Sequence, residues 1–401
     1  MWQKTKNFYH LCIAVLANTY YLFPARKLYI VGVTGTDGKT TTTSLIYHIL
    51  KNTGRQVSLI STVAAYIGEK TYDTGFHVTN PSAMPLQKFL KTITQLGTGK
   101  NNNYLILEVT SHGIDQNRIW GIPFAVGVVT NITHEHLDYH KTYDLYLQTK
   151  AKLLRRARIA ILNKDDASYG KLIDLIDNKK TRTYSITQDA DITPKKFPFL
   201  SKMPGSFQEY NELAAISACI ALGLTPEEIK SGLISFELPK GRFEKVYVGN
   251  FVVMVDFAHT PNAFEQLLKT LRPQVQGKII HVFGAAGLRD NTKRSLMGEA
   301  SAKYADVIIL TSEDPRTESV DAINTQIKQG IVSLHRRDLE IIEIPNRKQA
   351  IEKAVAMAQE GDLVISTGKA HEQSMNYGYG EEPWDEFVVA KDALKKRGMD
   401  I

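Results

Sequence analysis

Thiols are scarce: Cys12 and Cys219 are the only cysteines among 401 residues, too few for a disulfide framework or a four-thiolate zinc site. That argues against a stapled secreted scaffold and points to cytoplasmic chemistry. No G-x-G-x-x-G occurs, so a tightly held dinucleotide is not expected. Neither an aromatic RNA-binding motif nor a repeated basic helix accompanies the net charge of +7; the basic balance fits anionic small molecules, and no nucleic-acid partner is expected. Long apolar runs are missing too. The best candidate, residues 8–24 (FYHLCIAVLANTYYLFP), is at the short limit for a bilayer span and is interrupted by His10 and Asn18. No small-residue cleavage site follows it, so it does not read as a signal peptide. The expectation is a helix packed on the protein's own body, or else one lying in the membrane interface with Tyr, Phe and basic anchors (Lys4, Lys6, Arg26, Lys27), with a true span as the remaining alternative.

What is present suits a soluble globular protein of two domains: 43% hydrophobic and 23% charged residues over a length too great for one ordinary core. Residues 28–45, LYIVGVTGTDGKTTTTSL, join a buried strand to a Gly-Lys-Thr turn and a helix. Such a turn cradles phosphate. Its backbone N–H groups point at an anion, Lys39 neutralises terminal phosphates, and the Thr40 hydroxyl suits Mg²⁺. The pattern G-x-x-x-x-G-K-[ST] wants glycine at position 33 and finds Val33, so a merely packed turn is the bland alternative.

Further along, strands at 56–61, 63–70, 104–109 and 125–130 alternate with helices, the order of a mostly parallel sheet with its ligand at the strand ends. Thr79 and Asn80 lie in a loop before a helix expected to start at Ser82, where an ordinary cap explains the serine equally well. Glu108 ends an apolar strand and needs a cationic partner, for which Mg²⁺ beside Thr40 is the natural reading. Thr110 and Ser111 follow it in a polar turn. Residues 131–140 hold His134, His136 and His140 with two acids, but their spacing does not match a zinc helix; His136 is favoured as a ligand to a second Mg²⁺. Lys150, on the helix that follows, reads by itself as a solvated lysine. Residues 238–244 are the expected linker. Beyond it, strands at 251–256, 278–283, 307–311 and 363–366 each end in a polar or glycine turn, a doubly wound pattern whose charged edge is a binding surface.

Several of these segments together resemble the Mur ligase family, most closely its UDP-N-acetylmuramoyl-tripeptide synthetase branch. TGTDGKTTT is similar to the family's TGTNGKTTT, EVTSHGIDQNR to EVSSHALDQGR, TNITHEHLDYH to TNLTRDHLDYH, DFAHTP to DYAHTP and GKAHE to GKGHE, and GRFE is shared, all in order from about residue 28 to about 394. The resemblance implies an α/β architecture: a P-loop ATPase-type, mostly parallel central domain (28–239) and a smaller Rossmann-like, doubly wound C-terminal domain (240–401), behind an apolar N-terminal segment (1–27). It implies ATP bound by Gly35, Thr36, Asp37, Gly38, Lys39, Thr40 and Thr41, with Asn211 near the adenine and Arg242, Asp256 and His259 reaching ATP from the linker and second domain. One Mg²⁺ falls to Thr40 and Glu108 and the second to His136 and Lys150. The match of Lys150 to an N-carboxylated lysine replaces the solvated reading. Thr79, Asn80, Thr110, Ser111 and Arg118 fall at the muramoyl-peptide acceptor; Arg289, Asp314, Arg316, Gly368 and Glu372 fall where meso-diaminopimelate is held.

The implied activity is ATP-dependent amide formation through an acyl phosphate in peptidoglycan precursor synthesis, by a cytoplasmic monomer. Two departures matter. EDPR stands where the family has DNPR, which adds negative charge at Asp314 and admits lysine or another diamine. The phosphate loop comes early, at residue 35, where family members first carry a UDP-gripping domain; a lipid-linked acceptor, with residues 8–24 as a peripheral membrane contact, is one expectation from that. Folylpolyglutamate synthase and the MurT-type lipid-linked ligases share the plan and are the alternatives, as is an ATP-binding scaffold without activity. SHGIDQNR and EDPR speak against the first, and two cysteines cannot build the zinc ribbon of the second.

Overall fold

Residues Tyr29–Thr34 alternate no polar and apolar faces, so the strand they form (β1) must be covered on both sides, and five of its six residues are buried. The computed structural model describes residues 2–72, 80–96 and 103–399. They cluster into two units: 1–133 with 142–239, and 134–141 with 240–401.

In the first unit, β1 is central to an eight-stranded sheet with β2 (Val57–Ile60), β3 (Ala65–Ile67), β4 (Lys70–Tyr72), β5 (Tyr104–Glu108), β6 (Val126–Val129), β7 (Ile159–Asn163) and β8 (Thr181–Tyr184), ordered β4-β3-β2-β5-β1-β6-β7-β8. Strands β2, β5, β1, β6, β7 and β8 are parallel; residues 63–70, expected as one short strand, instead open an antiparallel β3–β4 hairpin. Both faces are apolar. One face packs under the Lys39–Asn52 and Ser206–Ala221 helices through Leu45, Ile46, Ile49, Leu213 and Ile216; the other, through Ile30, Leu105, Leu107 and Phe124, packs against Leu86, Leu90 and Leu153. The chain leaves β1 between β5 and β6, its neighbours on either side, so the strand ends open a crevice where the order reverses.

The second unit repeats the logic with β9 (Glu244–Val248), β10 (Val252–Asp256), β11 (Ile279–Phe283), β12 (Val307–Leu310), β13 (Glu340–Glu343) and β14 (Leu363–Thr367), ordered β13-β12-β11-β14-β10-β9, with only β9 antiparallel. The EIIE strand β13 and a small hairpin, β15 (Ser374–Asn376) with β16 (Glu381–Pro383), were not anticipated: two apolar residues between acids, and a Ser-Met-Asn segment, carry too little periodicity. N-terminal residues Trp2–Tyr20 form a helix lying on the first unit, with Ala14 and Ala17 packed beside Ala83. Among the described residues no helix is long and apolar enough to cross a membrane.

Candidate active site

The turn from β1 into the Lys39–Asn52 helix is closed by glycines that nothing else could replace. Gly38 has φ +80°, and a Cβ there would run into Asn211 Oδ1; a Cβ on Gly35 would meet Thr130 Oγ1. The loop is stapled from the far side: Asp37 N–H donates to Asn131 Oδ1 (2.9 Å), Thr130 Oγ1 donates to Asp37 O (2.6 Å), and Thr133 N–H donates to Thr36 Oγ1 (2.9 Å). Lys39 is half-buried and folds its ammonium onto the Thr36 carbonyl (2.7 Å). Thr41 is buried in the first helical turn. This is a preformed phosphate cradle with its lysine at the rim. Asn211, expected beside adenine, is in the second turn of its helix, where its amide touches Gly38, accepts from Thr42 Oγ1 (3.4 Å) and donates to Gln208 (2.8 Å).

Next to the cradle, Thr40 Oγ1 donates to Glu108 Oε2 (3.1 Å), and Glu108 also accepts from the Thr62 N–H (3.0 Å) and hydroxyl (2.8 Å). A hydroxyl and a carboxylate at the strand ends suit Mg²⁺, which takes few protein ligands and completes its shell with phosphate oxygens and water. No group of three His, Cys, Asp or Glu gathers among the described residues, so such an ion would depend on those non-protein ligands. Lys150 is 1% exposed, which corrects the solvated reading: its Nζ donates to Gly35 O (2.6 Å), lies 3.4 Å from Thr34 Oγ1 and sits 4.5 Å over the Tyr146 ring. An amine with this little room for water is stabilised instead by the Gly35 carbonyl and the Tyr146 face.

Glu108 also connects to the acceptor-side residues. Its backbone carbonyl accepts from Asn80 Nδ2 (2.6 Å), whose Oδ1 accepts from the Thr110 N–H (2.7 Å) and hydroxyl (2.9 Å). The Asn80 carbonyl in turn accepts from Arg118, and Arg118 is held by Gln116 Oε1 (3.0 and 2.7 Å). Ser111 is buried and its hydroxyl has no partner among the described residues, at the start of the Ser111–Asp115 turn. Thr79 lies outside the described residues.

Residues 134–141 cluster with the second unit. His134 Nε2 pairs with Thr292 Oγ1 (2.8 Å), Leu137 N–H donates to Asp290 Oδ2 (2.9 Å), and the buried Glu135 binds Lys293 (3.0 Å). His136, in the left-handed region at φ 58°, is the residue around which this segment turns. At the end of β10, Asp256 accepts from the N–H groups of Phe243 (2.8 Å) and Ala258 (2.7 Å), and burial raises its pKa against the pull of Arg242. Arg242 stacks on Phe257 (4.7 Å), whose ring also faces His259 (4.8 Å) and His371 (4.6 Å).

The turns after β12 and β14 bring Asp314 and Glu372 together around a lysine that sequence reasoning missed, while Arg289 lies exposed in the turn after β11. Lys369 is fully buried and donates to Asp314 (2.9 Å) and Glu372 (2.6 Å). The extra negative charge expected of Asp314 is therefore taken up inside the protein, and Glu372 is shared with the lysine before any ligand arrives. Gly368 has φ +101° and leaves no room for a side chain because Glu313 fills the space; burial pushes Glu313 up to about 7 despite Arg347, Lys293 and Lys369. Arg316 is half-buried, donating to Gly287 O (2.6 Å), and its pKa is lowered by burial and then by Arg289, against the opposing pull of Asp314, Glu381 and Glu372. The sequence signals for Lys369 and Lys293 were the GKAHE and TKRSLM segments, each a lysine between a glycine or threonine turn and a helix or hairpin.

A phosphate-loop turn with a hydroxyl and a carboxylate beside it, followed by a second α/β unit, is the arrangement expected of an ATP-dependent ligase, and similarity to known proteins places the chain in that class. Residues 33–219 match the Mur ligase middle domain and residues 241–370 the Mur ligase, glutamate ligase domain. The UDP-N-acetylmuramoyl-L-alanyl-D-glutamate–2,6-diaminopimelate ligase of Aquifex aeolicus is 39% identical over 396 residues, covering 94% of this chain and 80% of that protein. A solved structure of a ligase of the same name is 29% identical with TM-score 0.59, covering 93% of this chain and 79% of that one. Folylpolyglutamate synthase of Mycobacterium tuberculosis, at 15% identity and TM-score 0.67 over 96% of this chain and 95% of its own, shares the fold. This chain belongs to the Mur ligase family, as its motifs indicated.

Proposed function

We propose that this chain is the ATP-dependent amide ligase that adds meso-diaminopimelate to a muramoyl-dipeptide acceptor. The observation that carries the reading is the unbroken hydrogen-bonded path from the phosphate loop through Thr40, Glu108 and Asn80 to Thr110 and Arg118, which ties nucleotide and acceptor residues into one rigid element. In this reading the acceptor carboxylate attacks the γ-phosphorus and the bond to ADP breaks, giving an acyl phosphate. The neutral amine of the incoming amino acid then adds to the carbonyl carbon. The tetrahedral adduct loses phosphate and a proton to leave the amide.

Loop N–H groups and Lys39 hold the β- and γ-phosphates, offsetting the repulsion between a polyphosphate and a carboxylate. Thr40 and Glu108 are the residues that would hold one Mg²⁺, which supplies further neutralisation of charge when bound. Lys150, as a carbamate, is assigned to the second ion; a carbamate N–H keeps the donor that Gly35 O accepts. His136 is assigned to that ion by sequence position alone. Asn80, Thr110, Ser111 and Arg118 orient the acceptor, with Thr79 assigned to it by sequence. Arg289 and Arg316 take the distal carboxylate of the amino acid and Glu372 its distal ammonium, beside Gly368 and Asp314. The cytoplasm supplies the ATP, and residues 8–24 are read as a peripheral contact with the membrane.

The test is ADP release from UDP-linked and lipid-linked muramoyl-dipeptide, each crossed with diaminopimelate, lysine and glutamate, with a folate acceptor alongside. Turnover with a muramoyl acceptor and diaminopimelate is expected; turnover with folate alone would overturn the reading.

A further inference from the structure

The N-terminal helix turns most of its bulk outward. Its inward face is mainly small and polar: Ala14 and Ala17 pack beside Ala83 with Ile13 and Trp120 against them, Asn18 Nδ2 donates to the carbonyls of Ala14 (2.8 Å) and Trp120 (3.0 Å), and Asn7 Nδ2 donates to Asp115 (2.8 Å). Its outward face carries the bulk. Phe8, Cys12, Leu16 and Tyr20 recur every four residues and form one stripe flanked by Tyr9 and Val15, with Phe8, Tyr9, Leu16 and Tyr20 all more than 60% exposed. Just past the helix, Leu22 and Phe23 take left-handed φ of 60° and 52°, a costly conformation for bulky residues, and Leu22 is left 77% exposed. A helix that only had to pack on this protein would point those residues the other way.

The charge around the stripe identifies what covers it. No aspartate or glutamate precedes Asp37, while Lys6, Arg26 and Lys27 are exposed, and Arg26 lies 4.3 Å over the Phe23 ring. The Ala83–Leu96 helix that packs against it contains no acid either and presents Lys88. A second copy of this surface would bring like charges together. Aromatic and aliphatic bulk flanked by lysine and arginine, with no acid on either helix and the neighbouring Asp115 turned to Asn7 on the inward side, is the composition of a helix seated at an anionic lipid interface.

We propose that the outward face of Trp2–Tyr20, with Leu22, docks this protein on an anionic bilayer surface. Resting on the acceptor assignment above, a consequence follows: Asn7 contacts Asp115, and its carbonyl accepts from Asn117 (3.3 Å), in the turn that leads to Arg118. Docking would then hold the acceptor side of the first unit at the lipid headgroups, which favours a lipid-linked muramoyl peptide.

The experiment is sedimentation of the full chain with vesicles of phosphatidylcholine alone or mixed with phosphatidylglycerol. Binding to the mixed vesicles and its weakening by salt are expected. Phe8→Ser with Leu16→Ser, and separately Arg26→Glu with Lys27→Glu, should each lower partitioning on the order of tenfold. Unchanged melting curves are expected of both variants because the residues are exposed. Wild-type protein that stays in the supernatant with mixed vesicles would overturn the proposal, as would undiminished binding by both variants. So would a lipid-free dimer in gel filtration that the Phe8 and Leu16 substitutions dissociate. Sedimentation requires no turnover, so a failed acceptor assignment and a failed docking face are told apart.

Discussion

Thr40 Oγ1 lies 3.1 Å from Glu108 Oε2, and the register of the sheet sets the pair: Glu108 is opposite Val33 across β5 and β1, at the strand ends from which the phosphate loop departs. If the two share a magnesium ion, Glu108→Gln keeps an acceptor for the Thr62 hydroxyl but removes the charge that holds the cation. Ligase turnover should fall on the order of a hundredfold or more, and the Mg²⁺ concentration for half-maximal ADP release should rise. An unchanged Mg²⁺ titration would assign Glu108 to structure alone.

Lys150 distinguishes two chemistries by rescue. If Lys150 works as an anionic carbamate, Lys150→Ala should lower turnover on the order of a hundredfold. Acetate or formate in the vacated space should restore part of it. Rescue by a small alkylamine instead would show that the ammonium, already bound to Gly35 O at 2.6 Å, is the working form.

Gly38→Ala strains the loop twice, through φ +80° and through collision with Asn211 Oδ1. The KM for ATP should rise about tenfold or more, since strain of this kind costs on the order of 1–3 kcal/mol. Adding Asn211→Ala removes the collision but not the φ, so the double variant should recover only part of the loss, a coupling that a double-mutant cycle reads directly.

The phosphate loop was legible because glycine, lysine and threonine spacing is local: β1, its turn and the helix follow from some fifteen consecutive residues. Glu108 was legible for a related reason, being the one acid in an apolar strand. The burial of Lys150 was not, since helix periodicity over 143–156 cannot say which face meets the β1 turn, and only the family resemblance raised it. Lys369 was missed because Asp314 meets it only through the adjacency of β12, β11 and β14, a relation no local pattern encodes, while its pairing with Glu372 three residues on looks in the sequence like an ordinary surface pair.

That buried lysine makes Asp314 less decisive than its charge implies. Asp314→Asn leaves Lys369 paired with Glu372, and should change the KM for diaminopimelate by less than about tenfold, given that the change replaces one acceptor with another. Lys369→Met takes the ammonium away from buried Asp314 and half-buried Glu372 and should cost about 3–5 kcal/mol of stability. Arg316→Ala should raise the KM for diaminopimelate more than that for an amino acid without a distal carboxylate, by roughly 1.5–3 kcal/mol of charged hydrogen bonding. Steady-state kinetics with both amino acids, beside urea denaturation, check all three.

Acid sensitivity should rest on two histidines, His371, lowered to about 3 chiefly by burial, and the buried His281. Both ring nitrogens of His281 are hydrogen-bonded, to Ser301 (2.8 Å) and Thr367 (3.0 Å), and burial, then Arg347, lowers its pKa to about 3. An unfolded chain protonates histidine near 6.5, so between about 6.5 and about 3 the unfolded state binds the extra proton and folding loses ground as pH falls. Glu313 works in the opposite sense. Its pKa is raised from 4.5 to about 7, so its contribution is present below 4.5 and is lost as pH rises through about 7. His281→Asn removes the His281 share and leaves those of His371 and Glu313. The variant should be less stable at neutral pH by about 1–3 kcal/mol, from hydrogen bonds it cannot fully remake. Thermal melts should then show a flatter decline below pH 6.5 than the parent, while any loss above 6.5 attributable to Glu313 persists; parallel curves would mean that protonation of His281 has no part in the acid limb.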